Sequence, residues 1–415
     1  MNPCLTLGCR RIFWLMVVVS ALVGFAANPV RAASSTDKIT NSPAESDPLT
    51  RSGFERFYNL EYDAAVADFE KAAKAHPDDP FAVNHLLNAV LFRELYRVGA
   101  LDTGLYASNS FVTKKKFEFD PKFKERVAEL MARAMDLSEQ RLKADPNDLQ
   151  ALYTRGITRG LRATYLALVD KSWFAALRSA VGARHDHDKV LEKVPDFADA
   201  KTIVGVHNYV AGSLPWAVKV AASVVGLSGS KQKGLEYLYA AAAGGGETAV
   251  DAKITLVLFL RREQRFDDAL KVVRTVTSAY PRNALFAIEE GNILNAGGHG
   301  MDAIAVFRSV LEKGKQGYYR DPHLELAAWT LGEAQRGQKL YNDAAEAYEM
   351  VQTFPHRDPE LLQKAKLAAG QMYDLQQRRD QAVASYNSVI AADATSPEAE
   401  QAKRFLRQPY RATNP

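Results

Sequence analysis

Cysteine is nearly missing from this chain. Its 415 residues include two, Cys4 and Cys9, so nothing beyond them can form a thiol site, a disulfide or a thiolate–metal bond. A dominant charge sign is missing too: 53 Lys and Arg stand against 49 Asp and Glu, a net of +4. That balance argues against nucleic acid or an anionic membrane as the partner. No run alternates apolar and polar residues as a half-buried strand would. His-Glu-x-x-His, Gly-x-Ser-x-Gly and the Gly-Lys-Ser/Thr of a phosphate loop are all absent. The expectation is a chain that is not an enzyme and takes no metal or cofactor. Its length still allows a core that is stable without covalent staples.

What is present begins with a targeting pattern. Arg10 and Arg11 precede an apolar run from Ile12 to Ala27, and Val30-Arg31-Ala32 ends it with a small residue. Basic start, apolar core and small-residue exit are the parts of a secretory signal, so cleavage is expected after Ala32. The rival is an uncleaved anchor, although the run is shorter than the roughly 20 residues that a bilayer needs. Cys9 precedes the apolar run, which speaks against lipidation. Loss of Arg10, Arg11 and Arg31 would lower the formal charge from +4 to +1. The expected location is the periplasm or outside the cell, with association to the outer membrane as an option. Residues 33–49 are polar and Pro-containing and read as a flexible leader.

From residue 50 the apolar residues recur at helical spacing, as in Leu130, Met131, Ala134, Leu137 and Leu142. Gly53, Tyr62, Ala65, Phe69, Ala72 and Pro77 have the separations of the tetratricopeptide signature, which the chain therefore resembles. Small residues let two helices approach, Phe69 fills the space between them, and Pro77 cannot continue a helix. Phe266, Ala269, Val273 and Pro281 repeat the second half of the unit. Ala303 and Phe307 follow Ala269 and Val273 by 34 residues, the tetratricopeptide period. Gly332, Tyr341, Ala344 and Tyr348 form another unit; Gly370, Tyr373, Ala382 and Tyr386 form the last. Pro146 with Gly156, and Pro195 with Gly205, keep the same offset in the middle. The resemblance implies an all-α solenoid of roughly eight to ten helical hairpins wound as a right-handed superhelix. Its expected parts are repeats over 50–204, an irregular helical insert over 205–248, repeats over 249–406 and a tail over 407–415.

Within the insert, Gly205 is expected to start a helix that ends at Ser213-Leu214-Pro215. An apolar helix carrying Lys219 runs to Gly226, and Gly229, Gly234, Leu235 and Leu238 follow. This order resembles the tetratricopeptide-repeat thirty-nine family and its fungal relatives of inclusion clearance at the mitochondrial outer membrane and lipid droplets. The resemblance implies a binding protein and supplies no catalytic residue.

Several features invite chemistry. His185-Asp186-His187-Asp188 looks like a metal cluster, but neighbouring helical residues point apart, so a solvated helix start is expected. Gly226 to Lys231 joins two helices and is not a phosphate loop. Trp216 to Val225 is too short to span a bilayer and reads as core, with a lipid or membrane surface as the rival. Lys114-Lys115-Lys116 reads as a solvated loop. Taking Gly291, Gly332 and Gly370 as equivalent positions places Asn292, Asn295, Glu333, Arg336, Gln371 and Asp374 on the concave face, and Arg261 joins them from the preceding unit. These are the expected partner-binding residues. Asparagine amides and Arg can grip an extended peptide or its carboxylate; the same residues would also suit a wet solenoid face. The expected function is an exported scaffold or adaptor holding a protein or peptide in a groove, with a lipid- or membrane-surface-binding repeat protein as the alternative.

Overall fold

The computed structural model describes residues 39, 42–101, 117–214, 219, 228–320, 323–355 and 358–412. The expected signal, residues 33–38, 40 and 41 of the expected leader, Lys114 to Lys116, and all of Trp216 to Gly226 except Lys219 lie outside them. Among the described residues there are eighteen α-helices and no strand. This is the all-α, tetratricopeptide-type hairpin architecture that the residue spacing implies.

The chain divides into two compact units, Met1–Glu263 and Gln264–Pro415. The first contains α1 (Pro43–Ser46), α2 (Pro48–Tyr58), α3 (Tyr62–Ala75), α4 (Pro80–Arg97), α5 (Pro121–Ala144), α6 (Leu149–Leu168), α7 (Trp173–Lys193), α8 (Ala198–Gly212), α9 (Lys231–Gly244) and α10 (Ala249–Arg262). The second contains α11 (Phe266–Ala279), α12 (Ala284–Ala296), α13 (Gly300–Lys315), α14 (Leu324–Gly337), α15 (Tyr341–Met350), α16 (Pro359–Leu375), α17 (Arg379–Ala392) and α18 (Pro397–Arg407). Within each unit a helix packs mainly on its neighbours in sequence, the arrangement of a repeat stack.

The helix starts are written locally. Asp47, Asp79, Asp120 and Asp358 each stand before a proline and accept the N–H of the helix's second residue. The proline occupies the first position, where no donor is needed. The same grammar orders part of the expected leader. Ser42 caps α1 in a full capping box with Glu45, and Ala44 is buried. Ile39 is buried as well, so residues of the expected leader already belong to the packed chain.

Each regular hairpin is closed by one contact. A Cβ on Gly53 would come within 2.7 Å of the Phe69 ring, on Gly291 within 2.4 Å of Phe307, on Gly332 within 2.5 Å of Tyr348, and on Gly370 within 2.6 Å of Tyr386. The ring lies on the bare glycine surface, and all four rings are buried. In α6 and α7 an imidazole takes this place, since a Cβ on Gly156 would reach His187 at 2.2 Å.

This corrects the expected solvated helix start at residues 185–188. They lie inside α7; His187 is 1% exposed, and the fully buried Asp186 pairs with Arg155 at 2.7 Å and Arg159 at 2.6 Å. Gly205 likewise lies in the middle of α8 rather than at its start. A Cβ on Gly234 would sit 2.5 Å from the Tyr209 nitrogen, and one on Gly229 would sit 2.5 Å from the Asn208 carbonyl oxygen. These glycines let the backbones of α8 and the segment entering α9 meet directly.

The ring-on-glycine contact is testable. Gly291→Ala is expected to destabilise the second unit by about 1–3 kcal/mol through overpacking. Adding Phe307→Leu should recover part of that loss in urea denaturation. A neutral Gly291→Ala would show that the ring has room to move.

Candidate functional site

Six of the seven expected partner-binding residues lie in the second unit; Arg261 closes α10 in the first and is half-buried. Asn292 donates to Glu289 at 3.5 Å, and Asn295 is half-buried on the same helix, α12. Gln371 is buried. The remaining three are brought together by a residue that sequence reasoning missed, Tyr410.

The tail beyond α18 is extended, and Tyr410 turns back onto α14 and α16. Its backbone N–H donates to Asp374 Oδ2 at 2.7 Å. Its hydroxyl accepts from Arg336 at 3.0 Å, and the guanidinium carbon stands 5.8 Å from the ring centroid. Phe405 meets the ring edge-on at 5.2 Å. Asp374 also accepts from Arg379 at 2.8 Å and from the Tyr386 hydroxyl at 2.8 Å. Glu333 accepts from the Tyr348 hydroxyl and lies 4.0 Å from Arg336. Burial works against the Arg336 charge, but Tyr410 and Glu333 hold its pKa above the usual value. Burial, then Glu333, raises the Tyr348 pKa; burial, then Asp374, raises that of Tyr386. The tyrosines that lie on the hairpin glycines thus reach through and fix carboxylates on α14 and α16. No hydrogen bond or ion pair among the described residues joins Asn292 or Asn295 to this group. The one sequence signal for the contact is an aromatic residue in an otherwise polar tail.

A second polar assembly is buried in the first unit. Tyr58 donates to Asp251 at 2.9 Å. Asp199 accepts from the Thr248 N–H at 2.8 Å and from its hydroxyl at 3.0 Å. Asp79, the cap of α4, also accepts from the Ser42 hydroxyl and the Ala44 N–H. His85 Nε2 lies 3.4 Å from Glu247 Oε1. Glu45 on α1 feels Glu247, Asp199 and Asp79. The Tyr153 hydroxyl, from α6, feels Asp199, Glu247, Glu45 and Asp251. Asp199, Glu247 and Asp251 are at most 6% exposed, and Tyr153 is fully buried. Helical spacing alone does not find this meeting, because it depends on contacts between residues far apart in the chain, such as Tyr58 with Asp251, 193 positions on. The available signal was Asn84, His85 and Asn88 inside the apolar stretch Phe81 to Phe92. No three His, Cys, Asp or Glu among the described residues meet as metal ligands. No helix among them is long and apolar enough to cross a membrane.

Burial, then Glu247 and Asp199, pushes the Glu45 pKa up to about 11. Burial pushes Asp199 up to about 6, against the hydrogen bonds from Thr248. Burial also pushes His187 and His207 down to about 4. The signs oppose each other in acid. Asp199 contributes stability that is lost as pH rises toward about 6, whereas the neutral histidines contribute stability that is lost as pH falls from about 6.5 toward 4. Above about pH 6.5, and below the Lys171 transition near 8, Glu45 remains the changing group among these. Its folded form keeps a proton that the unfolded chain releases. The first unit should therefore lose stability between about pH 6.5 and 8. Glu45→Gln should flatten that slope and raise the denaturation midpoint at pH 8; an unchanged slope would refute the assignment.

Against known proteins, residues 256–318 match the family model described as tetratricopeptide repeat. No curated protein matches the sequence. Among solved structures, the Cut9–Hcn1 hetero-tetramer of the APC/C is similar at 13% identity and a TM-score of 0.47, over 89% of this chain and 58% of that one. The chain thus spans little more than half of that protein's length. Yeast Tom70 is similar at 14% identity and a TM-score of 0.39, over 86% of this chain and 94% of that one. The human IFIT1 dimer with m7Gppp-AAAA is similar at 12% identity and a TM-score of 0.41, over 91% and 88%.

Proposed function

We propose that the chain is a non-catalytic scaffold that holds an extended segment of a protein partner along the inner helices of its second unit. The observation that carries this reading is the grip on Tyr410. Arg336 and Asp374, both chosen from repeat register as peptide-binding residues, hold a main-chain N–H and an aromatic side chain of an extended segment. A partner segment with the same two features would meet the same groups. Asn292 and Asn295 supply further amides two helices earlier in the stack, suited to an extended backbone. The tetratricopeptide match over 256–318 supports a binding role for this part of the chain. The likeness of 205–238 to the tetratricopeptide-repeat thirty-nine family supports an adaptor role, and the signal pattern in 1–32 supports a place outside the cytoplasm. The lipid-surface alternative has no supporting contact among the described residues.

The tail supplies a probe. A labelled peptide of residues 408–415 is titrated into the full chain and into its Tyr410→Ala form. In the wild type the tethered tail competes at an effective concentration on the order of millimolar. Tyr410→Ala should therefore bind the peptide at least about tenfold more tightly, a difference of about 1.4 kcal/mol. Adding Arg336→Ala should abolish the gain while leaving the helical spectrum intact. If neither form binds the peptide, the inner face is not a segment-binding surface.

A further inference from the structure

We infer that the buried acidic assembly of the first unit is a binding site for a primary alkylammonium ligand. It is separate from the proposed peptide face, which lies in the other unit.

Charge is the first argument. Glu45, Asp199 and Glu247 come from α1, α8 and the start of α10, and they interact with one another. No Lys or Arg among the described residues forms an ion pair with any of the three; the basic side chain at ion-pair distance is His85, 3.4 Å from Glu247. Carboxylates in a poorly solvated place need either protons or a cation. The upward displacement of Glu45 and Asp199 is the proton-filled form of that demand.

Hydrogen bonding is the second, independent argument. Both carboxylate oxygens of Glu247, the Tyr153 hydroxyl and both polar atoms of the Asn88 side chain are buried without a hydrogen-bond partner. Asn88 and Tyr153 are 0% exposed, and Glu247 is 6% exposed. Native interiors leave few such groups. The Tyr153 ring is fixed by Phe197, edge-on at 5.0 Å, and by His187, also at 5.0 Å. Its hydroxyl is thereby held in the field of the carboxylates. Asn88 stands one turn beyond His85 on α4, on the side that His85 presents to Glu247.

The acceptors on offer select the kind of cation. A bare metal ion needs several ligands in contact with one centre, and no such triad exists among the described residues. An ammonium group carries three N–H donors on a compact charge, and it can be shared by carboxylates that do not touch one another, with a hydroxyl or amide oxygen as the third acceptor. Its alkyl chain would run against the apolar residues that surround the polar groups on α4.

The test is calorimetric titration of the full chain with putrescine at pH 8, with sodium chloride at matched ionic strength as the control. One site is expected, with protons released from Glu45, because the cation favours its ionised form, whereas Asp199 has already lost its proton at this pH. The measured heat should then change with the ionisation enthalpy of the buffer. Glu247→Gln, which preserves shape, should weaken binding at least about tenfold. Tyr153→Phe should weaken it less and serves as a second variant should the first fail to fold. Heats equal to those of sodium chloride would overturn the proposal. So would putrescine affinity unchanged in both folded variants, or binding without proton release.

Discussion

An aromatic ring seated on a glycine of the preceding helix is the contact on which the regular hairpins depend. It lets two helix axes approach more closely than any side chain would allow and fixes which face of each helix turns inward. It recurs at Gly53, Gly291, Gly332 and Gly370, each with the ring on the following helix. The identity of the ring then carries the packing into the polar face. Phe307 ends in carbon, and its hairpin leaves Asn292 and Asn295 without a bond to it. Tyr348 and Tyr386 end in hydroxyls that bind Glu333 and Asp374. A core residue thus decides how rigidly a polar residue of the preceding helix is held.

One register has opposite outcomes in the two units. One and four residues beyond the hairpin glycine, the second unit carries Asn292 and Asn295, Glu333 and Arg336, Gln371 and Asp374. The first hairpin carries Phe54 and Phe57 in those places. Both are buried, with Phe54 against His85 at 4.9 Å and Phe57 against Phe92 at 5.7 Å. Their partner α4 is buried along its length except at Arg93 and Arg97. The inner side of this hairpin is therefore filled, and its polar groups are held inside rather than displayed.

Period and residue size made the fold legible. Gly53, Phe69, Gly332 and Tyr348 act locally, within one hairpin, and their spacing alone says what they do. The same logic groups Arg336 with Asp374, and the two do meet at Tyr410. It had no means of finding Tyr410, whose role depends on where the chain goes after its last helix. Nor could it find the meeting of Glu45, Asp199 and Glu247, because no sequence spacing records a contact between the first helix and the tenth. The 185–188 tetrad shows the complementary failure. Its composition suits a solvated helix start, yet the lack of a side chain on Gly156 makes the space that His187 fills. A local rule was overruled by a small residue 31 positions away.

The buried polar groups are the least economical feature of the first unit in stability terms. A buried donor or acceptor without a partner costs roughly 1–3 kcal/mol, and apolar residues of the same volume often serve a core as well or better. Two unit charges about 4 Å apart also repel by about 4 kcal/mol at an effective dielectric constant near 20. The neighbouring network shows that the chain satisfies buried polar groups elsewhere. Asn84 donates to the Thr154 carbonyl at 3.0 Å and accepts from Thr158 at 2.9 Å, and Asp186 is held by two arginines. Other buried side-chain atoms lack a partner as well, His207 and Gln335 among them; what distinguishes Glu247, Tyr153 and Asn88 is the group of carboxylates beside them. Departures from local consistency concentrate where a protein does something besides fold. The physical difference between the two units then sets what each can recognise. Half-exposed groups on a helix face read the direction and side chain of an extended segment. A dry, negatively charged interior discriminates by charge and donor count.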